Sequence, residues 1–141
     1  MESPAAPLPP RIIVYSLAHA ESAVAAAAES GSGVALLSPA AAASSAGAPW
    51  FQALVAMAAR NYPGTRVIPI LDCGDAVGYA LGALQGGVPV VRVTGTPETL
   101  ERLTDIAGRL GARVDTAVEP ALDLLDRQDV AAACAAWLRK L

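Results

Sequence analysis

Short, nearly continuous apolar runs alternate along this chain with longer stretches whose apolar positions recur every three to four residues. The runs cover Arg11–Ser16, Val34–Ser38, Val67–Cys73 and Val88–Thr94, with a weaker one at Arg113–Thr116. Each has the length and β-branched content of a strand buried on both faces. Between them lie helix-compatible stretches. An alanine-rich segment from about Ala18 to Ser30 is closed by Gly31 and Gly33. A loop of small residues leads to Pro49, which suits a first helical turn, and Trp50, Leu54, Met57 and Ala58 mark a buried face behind it. Thr96-Pro97-Glu98 places a cap, a first-turn proline and a first-turn acid in order. Leu100, Leu103, Ile106 and Leu110 line the helix that follows, and Gly111 ends it. Beyond Pro120, a last helix is expected from Asp126, burying Val130, Cys134, Trp137 and Leu141.

This alternation predicts right-handed βαβ crossovers and a mainly parallel sheet of four or five strands in a three-layer α/β/α sandwich. As an architecture it resembles flavodoxin-like and Rossmann-like sheets, which host unrelated functions. Pro69 removes a ladder donor and favours an edge or early-strand position, whereas Pro89 falls harmlessly at a strand start. With 141 residues the chain suits one domain, at 11–141, behind a disordered Pro-rich tail expected at 1–10, without the basic start of a signal peptide. A closed (β/α)₈ barrel needs roughly 250 residues.

Composition adds two constraints. Charged residues reach only 16% and aromatic residues 4%, so the core rests on Ala and Val, and surface is expected to be buried against a second copy. The net charge of −3 and the scattered basic residues argue against a nucleic-acid footprint. No apolar run approaches the ~18 residues of a membrane span. Cys73 and Cys134 form neither a disulfide framework nor a metal pair, which fits a reducing, cytoplasmic setting, and a lone histidine excludes a multi-His metal centre. The glycine signatures of nucleotide-binding loops are absent, since Gly31 and Gly33 precede a strand instead of following one.

Two local features remain. Gly74, Gly78, Gly82 and Gly86 recur every four residues and would give a helix one flat ridge. That ridge fits tight packing on the chain's own sheet or a helix–helix contact across a homodimer; the final helix is a second dimer candidate. The other feature is Asp72-Cys73-Gly74-Asp75, at the end of the third apolar run. Parallel sheets bind ligands outside the carboxyl ends of their strands. Ser16, Ser38, Thr94 and Thr96 gather at the same edge, and Arg92 precedes it. Free N–H groups near Gly74 and Thr96 could receive an anion, while Asp75, Thr96 and Ser16 also read as ordinary helix caps. A buried Arg92 needs a carboxylate, and Asp72 or Asp115 would serve. The resulting expectation is a binding or regulatory module for a small anionic metabolite. The alternative is a lyase or hydrolase with Cys73 as nucleophile, His19 as base and an acid such as Asp75.

Overall fold

The computed structural model describes residues 7–139. Six strands form one all-parallel sheet in the order β5-β4-β3-β2-β1-β6. They are β1 (Arg11–Ile13), β2 (Val34–Leu37), β3 (Val67–Asp72), β4 (Val90–Arg92), β5 (Arg113–Asp115) and β6 (Ala121–Asp123). Six helices connect or follow them: α1 (Leu17–Ser30), α2 (Ala42–Ser45), α3 (Ala48–Ala59), α4 (Val77–Gln85), α5 (Pro97–Arg109) and α6 (Val130–Arg139). The chain is thus α/β with one parallel sheet, as the alternation of runs predicts. The sixth strand is a three-residue ALD segment whose signal is too short to read before folding.

Local chemistry explains most boundaries. Ser16 caps α1 by accepting the His19 N–H at 3.1 Å, and Gly31, in the left-handed region at φ +71°, ends it. Thr96 caps α5 in the same way, with Pro97 in the first turn. Asp129 accepts the Ala132 N–H at 3.0 Å, so α6 opens at Val130, four residues after the expected Asp126. Pro69 lies in a central strand, not at an edge. Ile70 turns its carbonyl to Ser38 on the β2 side, so Pro69 faces β4, below the ladder that begins with Leu71 opposite Val91. No ladder bond is lost there.

The buried faces of the helices differ in phase from the sequence reading. In α3 the buried residues are Phe51, Leu54, Val55 and Ala58, while Trp50 and Met57 are exposed. In α5 Leu103 and Ala107 are buried and Leu110 is exposed, and in α6 Cys134 and Leu138 form the inner edge. Leu141 lies outside the described residues. Gly78 and Gly82 are exposed, and a Cβ at either would meet nothing within 4 Å. Gly78 and Gly82 therefore do not pack on the chain's own sheet, and a Cβ at Gly82 has open space around it.

The sheet separates two cores. Ile12, Leu36, Leu71, Val91 and Leu122 face the large one, which also takes in the buried residues of all six helices. Ala35, Leu37, Ile70 and Val90 face a smaller one, joined by Leu8 from the segment before β1. Read as the end of a tail, residues 7–10 instead bury Pro9 and pack Leu8 on the sheet; Met1–Ala6 lie outside the described residues.

This second face is concave. Arg11 on β1 makes a bidentate ion pair with Asp115 on β5, at 2.6 and 2.8 Å. Four strand spacings, about 19 Å in a flat sheet, separate those strands. An arginine and an aspartate cannot bridge that distance, so the sheet curls until β1 and β5 face each other. The connection from Asp115 to Ala121 carries the same requirement. Its six steps reach at most ~20–22 Å, less than the ~24 Å from β5 to β6 across a flat sheet. Following the register, Asp115 is level with Arg92 and Asp72, and through Ile70 and Leu37 with Tyr15, four residues beyond Arg11. Tilted strands wrapping a common axis produce such an offset.

Burial raises the Asp115 pKa, but hydrogen bonds and charge from Arg11 and then Arg92 outweigh it and hold the carboxyl below its ordinary value. A depressed carboxyl stabilises the fold above its unfolded pKa of about 3.9, and that contribution is lost as pH falls through the folded value. Urea titrations should show the parent losing stability below about pH 4, with a flatter dependence there in Asp115→Asn. At pH 7 the variant should be less stable by about 3–5 kcal/mol, the cost of stripping one partner from a buried pair. Equal stability of the two at pH 7 would mean that the pair does not hold the curl.

Candidate functional site

At the carboxyl ends of β2, β3 and β4 the polar residues bind one another. Ser38, buried, accepts the Asp72 N–H at 2.8 Å and donates to the Pro39 carbonyl. Asp72 Oδ1 accepts the N–H groups of Ala41 at 3.0 Å and Gly74 at 2.8 Å. Gly74 is left-handed at φ +56°, and a Cβ there would lie 3.2 Å from that of Ala41, so this turn is built for glycine. The donor that sequence reasoning offered to an incoming anion is thus filled by the chain's own carboxylate. Thr94 donates to the Gly74 carbonyl at 3.3 Å. Arg92 donates to Asp115 at 3.0 Å and to the Ala117 carbonyl at 2.9 Å, with Asp72 4.0 Å from its Nε. Both carboxylates named from the sequence therefore serve Arg92, and Arg11, Asp115, Arg92 and Asp72 form an alternating line of charge across the concave face.

The remaining expected site residues lie apart from this group. Ser16 and Thr96 are occupied as caps, with Thr96 also accepted by Thr99 Oγ1 at 2.9 Å. Asp75 is exposed and caps nothing, because α4 starts two residues later with no side-chain cap. His19 accepts the Tyr15 N–H on Nδ1 at 3.1 Å and meets the Tyr15 ring edge-on at 6.0 Å. Burial, then a hydrogen bond and charge from Asp123, then charge from Asp126, push the Tyr15 phenol up from its usual pKa. His19 is thereby engaged with Tyr15, two residues beyond β1, and not with Cys73.

Cys73 is fully buried in the helix-side core, its thiol directed to the Leu71 carbonyl at 3.7 Å. Burial and then the neighbouring Asp72 charge push its pKa up to about 11. Both effects oppose thiolate formation, and no helix N-terminal donor or imidazole acts in the other direction. No group of three or more His, Cys, Asp or Glu able to hold a metal ion occurs among the described residues.

The sequence reading missed a cavity of about 550 Å³ along the seam between β5 and β6, the two edge strands, which do not hydrogen-bond to each other. Pro7, Pro9, Pro10 and Pro120 line it together with Trp137 and the Arg11–Asp115 pair. Trp137 Nε1–H is buried without an acceptor among the described residues. Arg11 is the one signal that could have pointed here, a charge at the head of an otherwise apolar strand. Its meaning depends on a partner 104 residues away.

Chemical labelling tests the reading of Cys73. With both Cys73 and Cys134 pushed to about 11, roughly one thiol in ten thousand is ionised at pH 7. Iodoacetamide should therefore modify the native chain orders of magnitude more slowly than the urea-unfolded chain; equal rates would restore Cys73 as a nucleophile. Neither a protein-family model nor a curated protein matches the chain, so its function must be argued from this geometry.

Proposed function

We propose that this chain is a binding or regulatory module for a small metabolite held in the seam cavity, and not an enzyme built on Cys73. The cavity carries the reading. Its volume of about 550 Å³ falls within the ~300–1,000 Å³ of small-molecule sites. Apolar walls and a few fixed polar groups are the usual make-up of such sites. An anionic ligand at the strand ends has weaker support, since Arg92 and the Gly74 N–H are already engaged there.

The proposal extends to a homodimer in a reducing, cytoplasmic setting. Both cysteines are buried and unpaired, which supports that setting, and no helix among the described residues is long and apolar enough to cross a membrane. Of the two helices considered for self-association, α6 packs on α1, whereas α4 leaves its glycine face open. Beside that face a shallow groove of about 360 Å³, lined by Gly47, Pro49, Tyr79 and Gly82 among others, carries no charged residue.

A Trp50→Phe variant leaves Trp137 as the sole tryptophan and makes the cavity optically readable. A ligand at 100 times its Kd should raise stability by about 2.7 kcal/mol and change Trp137 emission saturably, without turnover. If no compound in a broad metabolite library changes melting temperature or emission, the cavity is not a ligand site. For the dimer, sedimentation equilibrium should give twice the 14.2 kDa chain mass, and the exposed substitution Gly82→Arg should return it to 14.2 kDa. A parent that sediments as a monomer removes the dimer.

A further inference from the structure

We infer that a second copy of this chain packs by twofold symmetry on the uncharged face of α2, α3 and α4, with Tyr79 of each copy seated in the groove between α3 and α4 of the other. This rests on the homodimer reading and adds the surface, its symmetry and the side chain that fills the groove. Charge is segregated among the helices. Residues 30–59 and 76–91 contain no Asp, Glu, Lys, Arg or His, so α2, α3 and α4 are uncharged from end to end. By contrast, α5 carries Glu98, Glu101, Arg102, Asp105 and Arg109. A helix that is apolar on all sides belongs in an interior. Yet α3 buries only its Phe51, Leu54, Val55 and Ala58 side and leaves Trp50, Ala53 and Met57 exposed.

The charge pattern selects the occupant. Burying an unpaired charge is unfavourable, so an uncharged face is matched by another uncharged face. A second copy brings that face, and a twofold axis joins the two without stripping water from any charge. Packing against the α5 of another copy would bury its charges instead. A membrane surface is held by Lys and Arg beside an apolar face, and these helices have neither. Shape agrees with a twofold contact, in which Tyr79 of one copy meets Gly82 of the other and the reverse. The groove, about 360 Å³, runs between Pro49 and Gln52 of α3 and Gly78 and Gly82 of α4, and Tyr79 beside it is 55% exposed. Neither glycine has a neighbour within 4 Å of its Cβ position, so a ring can enter from outside the chain. The Gln52 amide, the polar side chain of this lining, suits the phenol hydroxyl that enters.

Sedimentation and crosslinking test the contact. Tyr79→Ala should weaken self-association roughly thirtyfold or more, the effect of truncating a central aromatic anchor, with an unchanged melting profile at low concentration. A Tyr79→Cys chain mixed with a Gly82→Cys chain and oxidised should yield a disulfide-linked pair of twice the 14.2 kDa chain mass. Leu110→Cys, exposed at the end of α5, should link to neither. Cys73 and Cys134 are buried and do not compete. Should Tyr79→Ala fail to fold, amide resonances of the parent give the same answer on dilution, by shifting in α3 and α4 and not in α5. A dimer as tight in folded Tyr79→Ala as in the parent, or equal linking by Leu110→Cys, would overturn this interface and leave the homodimer standing. A parent that is monomeric at every concentration would overturn both. Binding of that monomer to phosphatidylcholine vesicles would give the face to lipid instead.

Discussion

Everything on the concave side of this sheet depends on one buried ion pair, Arg11 with Asp115. Strand pairing alone places β1 and β5 four spacings apart. Bringing a guanidinium and a carboxylate into two-point contact across that interval fixes the curl, and the curl in turn allows the short 116–120 connection to reach β6. Asp115 balances two arginines at once, and Asp72 stands 4.0 Å from the second. Burying charges is unfavourable unless each has a partner, and along this line each has one. The turn at Gly74 is tied to the same line through Asp72 Oδ1, so the β3–α4 connection and the sheet curvature are not independent.

The alternating runs made the class of fold legible because period and length are local properties. Parallel strands, their approximate places and the capped starts of α1 and α5 follow from residues within a few positions of each other. Helix phase was less legible. In α3 a Trp–Leu–Met–Ala face and a Phe–Leu–Val–Ala face, one residue apart, fit the same periodicity, and only the neighbouring sheet selects the second. Pro69 illustrates a different limit. Its cost depends on which neighbour its missing N–H would have faced, and strand order decides that.

The candidate site divides along the same line. The Arg92 partnership was readable from chemistry, since a guanidinium in a strand demands a carboxylate. The donors around Gly74 were readable as well, but their occupant was not, because Asp72 folds back on its own turn. The seam cavity was illegible for a geometric reason. It is made by the first and last parts of the described chain, Pro7–Arg11 and residues up to Trp137, and no sequence window contains both.

The place of β6 beside β1 also bears on the order in which the chain is made. Strands β2 to β5 each pair with the strand before, so β1 to β5 can assemble in the order of synthesis. The outer edge of β1 and the flank of α1 that receives α6 then stay uncovered until residues 121–139 emerge. An apolar, unpaired parallel edge is a template for any other extended chain. The nascent chain is therefore open to misassociation at the edge of β1, and β6 is the element that ends that exposure.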